Sequence, residues 1–375
     1  MMVRRERLKF CKRVVIKVGT STVTHSTGKL NLLRMETLAR EIADLQSSGR
    51  EVCLISSGAV GAGVGKINFP DRPKTLPEKQ ALAAIGQGRL VHMYEKFFSE
   101  YGKTVAQVLL TRDVFSNRLR YLHARHTLST LFDFGVIPII NENDTVAVDE
   151  IKFGDNDTLS AMLACLIDAD LLIILSDIDG LFSDDPRINP EARLLPLVEE
   201  VSKDLLARSR TKGSKLSSGG MFTKLAAARI VMTSGIPMII ANNKEPNILR
   251  RLLDGEELGT LFIPSGSPVQ ARKQWIAFGS SPHGRIVIDD GAAEAIRKRG
   301  KSLLPSGIVK VEGKFSRGEV VSIVDRDEVE IARGMVNFSS DEIGIIAGHH
   351  TDEIEKLLGS TDYDEVVHRN NLALV

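Results

Sequence analysis

The sequence predicts an α/β protein in which a mainly parallel sheet is covered by helices on both faces and a smaller β-rich domain follows. From Val14 onward, short runs rich in Val and Ile alternate with longer segments of helical spacing, as in sheets whose strands are fully buried. Several helical segments end at a glycine, the residue that most readily adopts the left-handed cap conformation. After about residue 265, two-residue alternation replaces the helical spacing, which indicates a change of domain.

The individual elements follow from this alternation. We predict strands at 14–18, 52–56, 105–109, 137–141, 171–176 and 236–241, and helices at 32–47, 78–101, 116–134, 158–167 and 221–234. Residues 146–153 alternate and predict a short β excursion. Beyond a stretch rich in Pro, Gly and Ser, a helix at 292–299 precedes three alternating runs, which indicate antiparallel strands of a small barrel.

The domain boundaries follow from the same changes. At roughly 150 residues per domain, a chain of 375 residues is expected to form two or three domains. We place the larger, catalytic domain at residues 1–265, a linker at 266–282, the β-rich domain at 283–361 and a C-terminal tail at 362–375.

Composition indicates a globular protein without an overall electrostatic field. Apolar residues make up 43% and charged residues 26%, which excludes disordered and fibrous classes, and 49 basic against 48 acidic residues give a net charge of +1. The three cysteines occur in unrelated contexts, which favours reduced thiols over a disulfide framework. The longest apolar runs are strand-sized, far below the roughly 18 residues of a membrane span. We therefore expect a cytoplasmic enzyme that does not enter a membrane.

Polar and glycine-rich clusters follow successive predicted strands. Ligands of open α/β sheets bind beyond the carboxyl ends of the strands, so these clusters are expected at one site. They contain two lysines, glycine-rich turns with exposed N–H groups, and many carboxylates and amides. This inventory suits phosphoryl transfer, in which catalysis is mostly positioning and charge neutralisation. No Ser, Cys or His lies in a setting typical of a covalent nucleophile.

Each of these residues also has a purely structural explanation. Lys17 is compatible with an ordinary strand end, and the glycines Gly58, Gly61 and Gly63 with close packing of a helix against a strand. Asp157 is well placed to cap the helix that follows it. Lys224 at a helix start opposes the helix dipole and so requires a reason. The occurrence of all of them at successive strand ends favours function, while the absence of GxxxxGK[ST] and GxGxxG argues against P-loop and dinucleotide enzymes.

The segments VVIKVGTS, ISSGAV, NENDTVAVDEIKFGDND, SDIDGLFSDDP and SGGMFTKLAAA resemble, in order and spacing, the motifs of the glutamate 5-kinase family. That resemblance implies an amino-acid kinase fold, an αβα sandwich, for the larger domain. Residues 284–325 resemble a PUA domain, a small β-barrel. The implied activity is ATP-dependent phosphorylation of the side-chain carboxylate of L-glutamate to L-glutamyl 5-phosphate, the first step of proline biosynthesis. Proline as feedback inhibitor and a homo-oligomer, a dimer or tetramer, are implied as well.

The resemblance also assigns roles to individual residues. Lys17, Lys224 and Asp157 are the implied catalytic residues, with Asp157 holding the two lysines. The implied ATP-binding residues are Lys17, Gly19, Ser176, Asp177, Ser218, Gly219, Gly220, Met221, Phe222, Thr223 and Lys224. The implied glutamate-binding residues are Ser57, Gly58, Asp144, Asp155 and Asn156. Mg²⁺ is expected mainly on the ATP phosphates, and its protein ligands remain unassigned.

Two alternatives remain open at this point. Other enzymes of the same fold phosphorylate aspartate, N-acetylglutamate, carbamate or UMP. A different function would be RNA binding by the C-terminal domain. Residues 283–361 contain 11 basic and 14 acidic residues, a net charge of −3, which is the wrong sign for a surface that follows phosphates. We expect no RNA partner.

Overall fold

The computed structural model describes residues 5–25, 27–70, 73–147, 156–211, 220–264, 282–359 and 363–374. The chain divides into two compact units, Met1–Ser265 and Gly266–Val375. The predicted linker lies almost wholly outside the described residues, as do most residues of the predicted β excursion.

A mainly parallel sheet forms the centre of the first unit. Its described strands are β1 Arg13–Val18, β2 Glu51–Ser56, β3 Val105–Leu110, β4 Ile137–Glu142, β5 Leu171–Ser176, β6 Leu197–Val198, β7 Met238–Asn242 and β8 Thr260–Phe262. They lie in the order β3-β4-β2-β1-β5-β7-β8-β6. Within it, β8 runs antiparallel to β7 and parallel to β6. Parallel pairing of β4, β2, β1 and β5 places the carboxyl ends of four neighbouring strands at one edge.

Helices connect these strands. Those described in the first unit are α1 Thr20–Val23, α2 Leu32–Ser47, α3 Ala59–Ile67, α4 Leu76–Ser99, α5 Asp113–Ser116, α6 Arg118–Asp133, α7 Asn156–Leu166, α8 Lys203–Thr211, α9 Met221–Thr233 and α10 Ile248–Leu253.

The two faces of the sheet bury separate apolar cores. Alternate residues of β1 point to opposite faces, so Ile16 packs with the core of α2, α4 and α10, whereas Val15 packs with that of α6, α7 and α9. Both side chains are fully buried. The predicted αβα sandwich is therefore confirmed.

Every other strand and helix predicted for the first unit is present in the described ranges, with ends shifted by two residues or fewer. Helix α4 is shifted by two residues at both ends, and it begins at Leu76 because Thr75 and Glu78 form a capping box and Pro77 is accommodated in the first turn. The strands β6 and β8 were not predicted, because two or three residues are too few to show a period.

Two glycines set the distance between α3 and α4. A Cβ atom added to Gly63 would lie 1.9 Å from the carbonyl oxygen of Leu82, and one added to Gly86 would lie 1.8 Å from that of Ala59. Close packing therefore explains Gly63, as one interpretation of these glycines predicted. Gly63 packs against the backbone of helix α4, however, and not against a strand. Gly58, the residue before α3, has φ of 99°, a left-handed conformation that favours glycine.

The second unit contains a mostly antiparallel sheet. Its described strands are β9 Arg285–Ile288, β10 Ile308–Glu312, β11 Val320–Val324, β12 Glu330–Met335 and β13 Leu372–Leu374, in the order β10-β9-β11-β12-β13. Helices α11 Asp290–Arg299, α12 Ser340–Ile346 and α13 Ile354–Leu358 accompany it. The segment assigned above to a C-terminal tail contributes β13, which pairs with β12 through backbone hydrogen bonds that residue types alone do not reveal.

The three cysteines are thiols at separate places in the first unit. Burial raises the pKa of the Cys53 thiol to about 12, so this group stays protonated and unreactive near neutrality. In the described part of the chain, no helix combines the length and apolar character needed to cross a membrane.

We expect Gly86→Ala to destabilise the first unit, because the added methyl group meets backbone that cannot move aside. The free energy of unfolding should fall by about 2 kcal/mol or more, measured by urea unfolding. Gly88→Ala is the matched control, since a Cβ atom at Gly88 in the same helix meets nothing within 4 Å. That variant should be neutral or gain up to about 1 kcal/mol, and equal losses in both variants would contradict the packing argument.

Candidate active site

The site lies at the edge where the carboxyl ends of β4, β2, β1 and β5 meet. Lys17 lies near the end of β1, and Ser57 directly follows β2. Asp144 lies two residues beyond β4, and Ser176 is the last residue of β5. Parallel pairing brings these strand ends side by side, so the structure places residues from distant parts of the sequence at one edge.

A single buried carboxylate joins the two predicted lysines. Asp157 is fully buried, and its Oδ1 atom lies 2.5 Å from Nζ of Lys17. Its Oδ2 atom lies 3.3 Å from Nζ of Lys224 and accepts a hydrogen bond of 2.7 Å from Oγ1 of Thr223. The side chains of Lys17 and Lys224 are only 7% and 5% exposed. One carboxylate therefore links β1 to the first turn of α9.

The positions of Asp157 and Lys224 at the starts of two packed helices explain how they meet. Asp157 is the second residue of α7, and Lys224 lies in the first turn of α9. The two helices pack against each other on the same face of the sheet. The carboxylate of Asp157 compensates for the unfavourable position of Lys224 at a helix N-terminus.

The two lysines lower the pKa of Asp157. Burial alone raises the pKa of this carboxyl, but the charges of Lys17 and Lys224 and the hydrogen bond from Thr223 outweigh it and bring the pKa to about 2. Asp157 is thus ionised at neutral pH. The two ammonium groups bring positive charge to the strand ends, which favours an anionic ligand.

A second group of polar side chains lies beside this cluster. Nδ2 of Asn156 donates to Oγ of Ser57 and to Oδ1 of Asn141, both at 2.9 Å. Nδ2 of Asn141 donates in turn to Oε1 of Gln87 at 2.8 Å. Nearby, Oγ of Ser56 lies 2.9 Å from the hydroxyl oxygen of Tyr94, both groups being buried.

Four residues of this second group were missed as site residues: Ser56, Gln87, Tyr94 and Asn141. The signal that would have found Gln87 is its place in the buried face of α4, where Ala83, Leu90 and Tyr94 are its neighbours. A glutamine in an apolar helical row requires a polar partner.

The remaining predicted residues that the structure describes lie near the same strand ends. The hydroxyl of Ser176 donates to the exposed carboxylate of Asp177 at 3.1 Å. Gly19 precedes α1, and Gly220 precedes α9, where Met221 and Phe222 occupy the first turn. Asp155, Ser218 and Gly219 lie outside the described residues.

The described residues offer no ready-made metal cage. Across the described ranges, no group of three or more His, Cys, Asp or Glu side chains is arranged to hold a metal ion. Both oxygens of Asp157 already face ammonium groups.

Comparison with known proteins accounts for both units. Residues 12–242 match the model of the amino acid kinase family, and residues 284–358 match the PUA domain. The glutamate 5-kinase of Thermoanaerobacter sp. (strain X514) is 57% identical over 363 residues, covering 97% of this chain and 98% of the relative. The glutamate 5-kinase of Moorella thermoacetica is 54% identical over 364 residues, covering 97% of this chain and 96% of the relative.

The chain belongs to the glutamate 5-kinase family. The predicted resemblance is therefore confirmed, and so is the predicted combination of an amino-acid kinase domain with a PUA domain. A solved UMP kinase from Bacillus anthracis superposes with a TM-score of 0.48 at 21% identity, covering 68% of this chain and 97% of that chain. That likeness is too low to bear on the substrate of this glutamate 5-kinase family member.

The depressed pKa of Asp157 predicts an acid-sensitive contribution to stability. A carboxyl whose pKa is about 2 in the folded state and about 3.9 when unfolded stabilises the fold fully above pH 4. This contribution, about 2 kcal/mol, should be roughly halved by pH 3 and lost as the pH falls through 2.

The measurement is urea unfolding of the parent and of Asp157→Asn, which mimics the protonated acid, at a series of pH values. The parent should be the more stable protein at pH 5, and the difference should shrink towards pH 3. A difference that stays constant over this range would show that Asp157 is not the titrating group.

Proposed function

We propose that the chain transfers the γ-phosphoryl group of ATP to the side-chain carboxylate of L-glutamate, giving L-glutamyl 5-phosphate and ADP. The relatives above carry the name of this activity. The single observation of geometry that supports it is the buried carboxylate of Asp157 between Nζ of Lys17 and Nζ of Lys224. It holds two cations at the strand ends where a phosphate chain would lie.

The chemistry needs charge neutralisation more than proton transfer. A glutamate side chain has a reference pKa of about 4.3, so it is ionised near neutrality and needs no general base. Its carboxylate oxygen forms a bond to the γ-phosphorus while the bond from that phosphorus to the bridging oxygen of ADP breaks. Lys17 and Lys224 would neutralise the oxygens of the moving group, and Asp157 would keep both ammonium groups in place.

The two ligands would occupy different strand ends. We assign glutamate to Ser57, Gly58, Asp144, Asp155 and Asn156, since hydroxyl, amide and carboxylate groups suit the two ends of an amino acid. We assign ATP to Lys17, Gly19, Ser176, Asp177 and residues 218–224. Mg²⁺ would be held mainly by the ATP phosphates, where it would neutralise negative charge.

The acceptor is tested by ATP turnover with trapping of the acyl phosphate by hydroxylamine. Glutamate should give the hydroxamate in an ATP- and Mg²⁺-dependent manner, whereas aspartate, N-acetylglutamate, carbamate and UMP should give little ADP release. Addition of proline should lower the rate, and sizing of the active protein should show a dimer or tetramer. Preference for another acceptor would contradict the proposal.

Lys224→Ala should lower kcat by on the order of a hundredfold or more, as expected when a charge-stabilising group is removed. Lys96→Ala is the control, because Lys96 is exposed in the last turn of α4. Its kcat should match that of the parent. A Lys224→Ala variant with nearly normal kcat would remove Lys224 from the mechanism.

The proposal includes no RNA-binding role for the second unit. Its locally basic helix α11 is partly neutralised, since Arg297 lies 3.7 Å from Asp325 and Lys298 lies 3.4 Å from Glu294. Both contacts are at least partly exposed to solvent and individually weak. They nevertheless reduce the positive charge that a phosphate backbone would require.

A further inference from the structure

Helix α4 brings one buried amide group to the glutamate side of the site. Gln87 is 8% exposed and lies between Gly86, which lets α4 approach α3 closely, and Gly88. Helix α3 begins immediately after Ser57 and Gly58. The close approach of the two helices therefore carries Gln87 towards residues assigned to glutamate.

A continuous series of hydrogen bonds connects Gln87 to those residues. Oε1 of Gln87 accepts from Nδ2 of Asn141 at 2.8 Å, and Oδ1 of Asn141 accepts from Nδ2 of Asn156 at 2.9 Å. The same Nδ2 atom of Asn156 donates to Oγ of Ser57 at 2.9 Å. The side chains of Gln87, Asn141 and Asn156 thus connect the backbone of helix α4 to the hydroxyl of Ser57.

The series defines the orientation of each amide. If the Asn141 amide were reversed, its NH₂ group would face both the NH₂ group of Asn156 and the backbone N–H of Glu142, which now donates to Asn141 at 2.9 Å. The carbonyl oxygen of Asn141 would then face that of Gln87. Gln87 and the backbone of Glu142 therefore hold Asn141 from two sides, and Asn141 determines where the NH₂ group of Asn156 points.

Stability alone does not explain a glutamine at this position. Nε2 of Gln87 is buried and has no hydrogen-bond partner among the described residues. A buried amide with one unsatisfied group is less favourable than an apolar side chain of similar size. Its neighbours on the same helix face, Ala83 and Leu90, are apolar.

We propose that Gln87 is a positioning residue for the acceptor substrate, acting through Asn141 on Asn156 and Ser57. The inference rests on the proposed function, because it takes those residues as the glutamate side. Gln87 itself is not a catalytic residue. It affects how well glutamate is held, and it leaves Lys17, Asp157 and Lys224 unchanged.

Gln87→Met tests this role, because methionine is close to glutamine in size and cannot accept a hydrogen bond. We expect the KM for glutamate to rise about tenfold, the size of effect expected when a buried hydrogen-bonded orientation is lost. The KM for ATP should stay within about twofold of the parent value. Gln87→Leu, which also lacks an acceptor, provides a second variant with the same expectation.

Gln46→Met is the matched control. Gln46 also makes one long-range hydrogen bond, 2.8 Å from Nε2 to the carbonyl oxygen of Gly135, but it lies in the last turn of α2. The same substitution there should leave both KM values unchanged. Melting temperatures of all variants separate local effects from loss of fold.

A double-mutant cycle tests the route through Asn141. In an Asn141→Ala background, Gln87→Met should cause no further rise in the KM for glutamate, because the group that it orients is already gone. Additive effects would overturn the proposed route. An unchanged KM for glutamate in the folded Gln87→Met and Gln87→Leu variants would overturn the role of Gln87, and equal rises in both KM values would assign it a general structural role.

These outcomes separate the inference from the proposed function. A parent protein without glutamate-dependent turnover would contradict the proposed function and this inference with it. A parent that phosphorylates glutamate, beside Gln87 variants of unchanged KM, would contradict this inference alone.

Discussion

The arrangement of the site depends on one electrostatic constraint, which is a buried carboxylate that must satisfy two buried ammonium groups. Asp157, Lys17 and Lys224 come from α7, β1 and α9, and none of the three charges is acceptable in an apolar interior without the others. The relative placement of a strand and two helix starts is therefore restricted by charge as well as by packing. The two ammonium groups held in this way are the kind of cations that phosphoryl transfer requires.

The other side of the site depends on close approach and not on charge. Gly63 and Gly86 allow α3 and α4 to touch through their backbones, which brings the polar side chains of α4 under the ends of β2 and β4. Gln87 and Tyr94 lie seven residues apart on the buried face of α4 and reach Asn141 and Ser56. One helix thus contacts two strand ends, so the packing of α3 against α4 and the orientation of the polar side chains at those strand ends are physically linked.

Much of the fold and part of the site were predictable from sequence. The runs around β1, β2, β4 and β5 are long and apolar enough to identify, and polar residues directly after such strands indicate a site at their ends. The pairing of Asp157 with both lysines was implied by family resemblance, and the structure brings the three groups together. Gln87 was not predicted because its partner, Asn141, is 54 residues away in the sequence. Strands such as β6, β8 and β13 were also missed, since two or three residues show no period and depend on partners supplied elsewhere.

By itself, the sequence determined the order of strands and helices along the chain, the position of the change to a β-rich domain, and the polar residues that follow the strand ends. Local periodicity and turn chemistry carry this information, because each element depends on neighbours within a few residues. Only the tertiary structure decided how closely Asp157 approaches each lysine, that α3 and α4 touch at glycines, and that Gln87 reaches Asn141. Those features are contacts between side chains distant in sequence, and their distances follow from the packing of whole helices and strands.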